Sequence, residues 1–166
     1  GAAAQLQFDN ATNMTQKLAA FACLLTAEKG ADAVDTFYNE WQNDRLVIDK
    51  WFAIQVSAAP PDKAADIAQA LTLHTDFDMK NPNRFRATLG ALAGKTAGFH
   101  HASGKGYTLL ADWLIKLDPL NPQTTARMCS AFETWRRYDS HRKELIETEL
   151  RRIFATKGLS RDTTEM

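Results

Sequence analysis

The sequence predicts an all-α fold, and three observations carry that expectation. Apolar residues recur at three- and four-residue spacing through most of the chain. No segment shows the sustained period-two alternation of a half-buried strand. Glycines, prolines and good capping residues stand where the helical pattern stops and restarts.

Taken in order, Asn10 to Lys29 reads as a first helix, with Met14, Leu18, Phe21, Ala22 and Leu25 on one stripe and Gly30 ending it. Residues 1–9 are expected to be a tag remnant or flexible start; they lack the basic and apolar regions of a signal peptide. Ala31 to Gln42 forms a second helix on Val34, Phe37, Tyr38 and Trp41. Asp44 caps a third, Arg45 to Ala58, which is apolar on most sides and therefore expected between neighbours; Pro60-Pro61 stops it. A fourth runs from about Pro61 to Leu73 on Ala64, Ile67, Ala68 and Leu71. Asn81-Pro82-Asn83 opens a fifth, with Phe85, Leu89, Leu92 and Ala93 inside. A glycine-rich turn from Gly94 to Gly106 leads to a sixth, Tyr107 to Leu117, closed by Asp118-Pro119. Asn121-Pro122 starts a seventh, with proline in the first turn where its missing N–H costs nothing. Asp139 or Ser140 caps an eighth that reaches Lys157. About eight helices joined by short turns suggest one domain over 1–166, a solenoid of antiparallel helix pairs; no repeat is visible in the sequence, so a helical bundle also fits. Ser160 to Glu165 has capping residues, with capping-box spacing from Asp162 to Glu165, but no helix is expected to follow.

Composition removes several functions. The 20 Lys plus Arg balance 20 Asp plus Glu, so no net field favours nucleic acid or an anionic membrane. No apolar run approaches the ~20 residues that span a bilayer. Cys23 and Cys129 sit among apolar neighbours and are expected to be buried free thiols.

No self-sufficient active site is visible, and no catalytic or metal-binding residue is assigned. His74, His100, His101 and His141 include no H-E-x-x-H pair, and His100-His101, being adjacent, point their rings apart in regular structure. Nucleophile-elbow, phosphate-loop and dinucleotide motifs are absent. Trp41, Trp51, Trp113 and Trp135 each stand at helical spacing from other apolar residues and are read as core. Trp135-Arg136-Arg137-Tyr138, with Glu133, Asp139 and Glu144 nearby, reads as a solvated helix end. Arg84 and Arg86 are less ordinary, because a helix N-terminus disfavours cations. They call for an anion, either a carboxylate on another helix or a ligand; Arg127, between Ala126 and Met128, poses the same question.

An ordered set of segments then resembles a known family. Asp78-Met79-Lys80-Asn81-Pro82-Asn83-Arg84-Phe85-Arg86, followed by Gly90-Ala91, Phe99-His100 and Gly104-x-Gly106-Tyr107, is similar to the C-terminal domain of bacterial aminopeptidase N. Phe37-Tyr38-x-x-Trp41, Val47 to Ala53, Leu117-Asp118 with Asn121-Pro122-Gln123, and Arg136 to Asp139 agree in the same order. The family consists of zinc-dependent exopeptidases that remove single N-terminal residues. The resemblance implies an armadillo- or HEAT-like superhelix that closes over a catalytic domain of the same polypeptide, in the bacterial cytoplasm. That domain holds the zinc, none being held by this chain. The domain would screen short peptide substrates by size without catalysis of its own. Arg86 and Arg127 are the implied substrate-facing residues, with Asn81 and Asn83 presenting Arg86 and with His100, Gly104, Gly106 and Tyr107 shaping the turn. A free-standing helical-repeat module that binds a protein or peptide is the alternative.

Overall fold

A computed structural model describes residues 1–166 and contains helices only. The α-helices are α1 (Ala2–Asp9), α2 (Met14–Thr26), α3 (Ala31–Trp41), α4 (Arg45–Ser57), α5 (Ala64–Leu71), α6 (Pro82–Phe85), α7 (Ala91–Gly94), α8 (Thr96–Phe99), α9 (Lys105–Leu117), α10 (Pro122–Cys129), α11 (Ser140–Phe154) and α12 (Arg161–Thr164). A π-helical turn, Arg86–Gly90, joins α6 to α7, and a 3₁₀ stretch, Ser130–Arg137, extends α10. The count exceeds eight because the fifth expected helix is divided by its π turn and three further short helices form. No helix is long and apolar enough to cross a membrane.

Capping chemistry sets the boundaries. Asn13, Asp44, Asn81, Asn121, Asp139 and Ser160 each accept a hydrogen bond from a backbone N–H of the helix they precede. A first-turn N–H has no intrahelical partner, so each such bond satisfies a group that folding would otherwise leave bare. Asn13, not Asn10, therefore starts α2.

Residues 1–9 are not a flexible start: Ala2–Asp9 is helical, packs on α2, and buries Phe8 against Phe21 at 6.2 Å between ring centroids. The eight residues of α1 bury Phe8 alone and are too short to show a helical period in the sequence. The chain end differs as well. Ser160, not Asp162, is the cap of α12, and the helix docks through Asp118. The buried Asp118 carboxylate accepts from Ser160 N (2.7 Å), Ser160 Oγ (2.6 Å) and Thr163 Oγ1 (2.6 Å). Burial pushes this carboxyl up, but the three hydrogen bonds outweigh it and hold it below the ordinary carboxylate range.

The helices stack in two layers around one continuous core that includes Phe21, Phe37, Phe52, Phe85, Phe99, Tyr107 and Phe132. Helix α4 packs on both α3 and α5, while α3 and α5 hardly touch each other. Likewise α7 and α10 both rest on α9 and hardly touch. Each gap leaves a cleft. Of the four tryptophans only Trp51 is fully buried, its Nε1 donating to Val34 O at 3.0 Å; the others are half-buried against the core.

Two glycines fix the turn before α9. Gly104 has φ +72°, a left-handed conformation that costs other residues a Cβ clash. A Cβ on Gly106 would lie 2.6 Å from Phe99 O, so only glycine lets α9 approach α8 this closely. His100 and Tyr107 lock the same turn, with His100 Nδ1 2.9 Å from the Tyr107 hydroxyl and the imidazole stacked on Tyr138 at 4.0 Å.

Candidate functional site

The cleft between α7 and α10 is built by two proline-started helices. Asn81 Oδ1 accepts from Asn83 N (3.0 Å) and Arg84 N (3.3 Å), fixing the first turn of α6 behind Pro82. Asn83 Oδ1 then accepts from Arg86 Nη2 at 2.9 Å and holds that guanidinium over the helix surface. The π turn begins at Arg86 and inserts one residue into the helical register, which re-aims the side chains that follow. Across the gap, Asn121 caps α10 by accepting from Thr124 N at 3.0 Å, and Ser130 Oγ donates to Arg127 O at 2.7 Å where α10 tightens into its 3₁₀ extension.

The structure brings Arg86 and Arg127 to one cleft. It has a volume of about 430 Å³ and is lined by Arg86, Gly90, Ala93, Arg127, Met128, Ser130 and Ala131. Both arginines are exposed, and no carboxylate lines the cleft. Two guanidinium groups facing solvent without an acid between them favour an anion able to accept paired N–H donors, such as a carboxylate.

Arg84 has a different fate. It is buried: Nε donates to Asp49 Oδ1 on α4 at 2.6 Å, Nη1 donates to Asp76 O, and the guanidinium lies 4.9 Å from the Phe52 ring centroid. Its anion is internal, so it braces α6 against α4. Helix position alone does not separate Arg84 from Arg86, because nothing local shows which one faces Asp49; only the resemblance singles out Arg86.

The remaining polar side chains do not converge on chemistry. His74 Nδ1 accepts from Asp76 N, His101 pairs with Ser103, and His141 meets Ala102 O. His100 is buried; desolvation first, and the nearby Arg142 second, lower its pKa and keep the ring neutral. No group of three or more His, Cys, Asp or Glu side chains is arranged to hold a metal ion. Cys129 is half-buried, and burial, then Asp118, pushes its thiol up to about 11, away from a reactive thiolate. Cys23 is exposed rather than buried, because it falls on the solvent side of α2 while Ala20, Phe21 and Leu24 face inward.

The whole chain, residues 1–166, matches a family described as a domain of unknown function (DUF3458_C) with ARM repeats. The chain belongs to that family. Its relatives are large enzymes. Aminopeptidase N of Haemophilus influenzae is 39% identical over 167 residues, covering 97% of this chain and 19% of its own length. Aminopeptidase N of Caulobacter vibrioides is 42% identical over 135 residues, covering 81% and 16%. Among solved structures, Legionella pneumophila aminopeptidase A in complex with aspartic acid superposes with a TM-score of 0.90 at 33% identity, over 99% of this chain and 20% of that one. The chain thus spans about a fifth of the relatives it matches.

Proposed function

We propose that this ARM-repeat domain is the C-terminal, substrate-facing part of a zinc-dependent aminopeptidase of the aminopeptidase N type. In this reading it lines and gates a chamber over the catalytic domain of the same cytoplasmic polypeptide, and performs no bond cleavage. The observation that carries the reading is the cleft shared by Arg86 and Arg127, which presents two guanidinium groups and no acid. A short peptide whose N-terminus lies at a distant catalytic centre still has a free carboxylate at its other end. Arg86 and Arg127 would bind that carboxylate, while a folded chain would be kept out by shape alone.

Zinc does not fit the residues of this chain. His74 stands apart from the other three, His100 and His101 share one turn with His141 bonded to Ala102 O beside it, and no three ligand-type side chains converge. In the proposed reading the metal, which would polarise the scissile carbonyl and activate water, belongs to the rest of the polypeptide.

Two measurements test the reading. The coding sequence upstream of Gly1 should continue in frame and contain H-E-x-x-H. The 166-residue chain alone should not hydrolyse an alanine anilide with or without added zinc, whereas the complete polypeptide should. Zinc-dependent turnover by the chain alone would refute a purely gating role.

A further inference from the structure

The second cleft carries a different chemistry. It lies between α3 and α5, floored by α4, with a volume of about 440 Å³, and shares no lining residue with the cleft of Arg86 and Arg127. Its lining includes the rings of Tyr38, Trp51 and His74, the aliphatic side chains of Val34 and Ile67, and the Asp35 carboxylate. The three rings pack within 4.9 to 5.2 Å of one another, a preformed aromatic wall. Leu73, 84% exposed, stands at the rim.

Charge is unevenly distributed among the helices, although the chain as a whole is neutral. Helices α3 and α5 contain four carboxylates and no basic residue. By contrast, α4, the helix from Pro82 to Gly94, and α10 contain five basic residues and one acid. On the acidic side, Glu40 and Asp66 are ion-paired with Lys17 and Lys105. Asp32 and Asp35, one turn apart on α3 and both exposed, have no cationic partner within the chain.

We infer that the α3–α5 cleft is a docking site for a polypeptide segment that places an arginine or lysine beside an apolar side chain. The apolar group fills the space over Val34 and Ile67 and covers Leu73. The cation pairs with Asp35, helped by Asp32, and lies against the ring of Tyr38. Aromatic faces and unpaired carboxylates both favour a cation, and together they disfavour an anionic or purely apolar occupant. This inference does not depend on the function proposed for the other cleft.

The test is a titration of the 166-residue chain with the capped peptides acetyl-Leu-Arg-amide and acetyl-Leu-Glu-amide, neither of which has a free carboxyl terminus. NMR of the Tyr38, Trp51 and His74 ring protons supplies the readout. The Arg peptide should shift those rings saturably, and the Glu peptide should bind at least about fivefold more weakly. Asp35→Asn, at an exposed position that leaves the fold intact, should weaken the Arg peptide about threefold to fivefold, and added salt should do the same. Equal binding of both peptides overturns the inference, as does indifference to Asp35→Asn. Self-association of the chain through these same rings, unaffected by the Arg peptide, would assign the cleft to a second copy and also overturn it.

Discussion

Replacing Arg84 by alanine should destabilise the domain far more than replacing Arg86, although the two residues are separated by one position. The Arg84 side chain is 7% exposed and its partner Asp49 19%. Removing the guanidinium leaves the Asp49 carboxylate unpaired at a mostly buried site, deprives Asp76 O of its donor and strips a cation from the Phe52 face. Breaking a fully buried pair costs about 3–5 kcal/mol, and the residual solvent access of Asp49 places this case near the lower end, ~3 kcal/mol. For a domain of this length ~1 kcal/mol shifts Tm by roughly 3 °C, so Arg84→Ala should lower Tm by roughly 9 °C. Arg86 is exposed and holds one hydrogen bond to Asn83, so Arg86→Ala should change stability by no more than about 0.5 kcal/mol. Thermal unfolding followed by circular dichroism at 222 nm measures both. The double change Arg84→Met with Asp49→Leu should recover much of the loss, because it removes both charges together. Equal Tm values for Arg84→Ala and Arg86→Ala would refute the division of roles between the two arginines.

Two further perturbations probe the scaffold. The pKa of His100 is lowered in the folded state, so its stabilising contribution is present above the unfolded value of about 6.5 and is lost as pH falls through the folded value. Tm should therefore fall on acidification from about pH 7 to pH 5, and His100→Gln should flatten that slope; an unchanged slope would mean that the imidazole does not titrate with folding. Asp118 is also depressed, so its contribution is present above about 3.9 and disappears only in stronger acid. Asp118→Ala should release α12, seen at neutral pH as rapid hydrogen exchange at the Thr163 and Thr164 amides, with α4 still protected; protection retained at Thr163 would contradict the docking role.

Much of the scaffold was legible because helix boundaries are local chemistry. Asp44 before Arg45, Asn81-Pro82 and Asn121-Pro122 each combine a cap with a helix start, and α3, α4 and α11 lie within a few residues of their expected ranges. The misses share one cause, dependence on contacts distant in sequence. Ala2–Asp9 is anchored by the contact of Phe8 with Phe21, α12 by Asp118, and the turn containing Phe99 by the close approach of Gly98 to Ala64 on α5. The π turn has no marker of its own in the residues Arg86–Gly90. The same limit applies to the site. Arg86 stands out in the sequence as a cation at a helix start and Arg127 as one between apolar residues, and the resemblance points to both, but that they line one acid-free cleft emerges only when α7 and α10 are stacked on α9. Net charge hid the other cleft: a neutral total conceals two helices, α3 and α5, that contain acids and no basic residue.

In the proposed function, Arg86 and Arg127 recognise the free carboxylate of a short peptide. In the complete polypeptide, KM should be compared for a short peptide with a free carboxyl terminus and the same peptide amidated. Arg86→Ala and Arg127→Ala should each raise KM for the free acid by about tenfold, as expected for a lost charge-assisted hydrogen bond. Both should leave the amide nearly unchanged, with kcat preserved for both substrates. Equal effects on acid and amide, or a loss confined to kcat, would show that these arginines do not read the carboxylate.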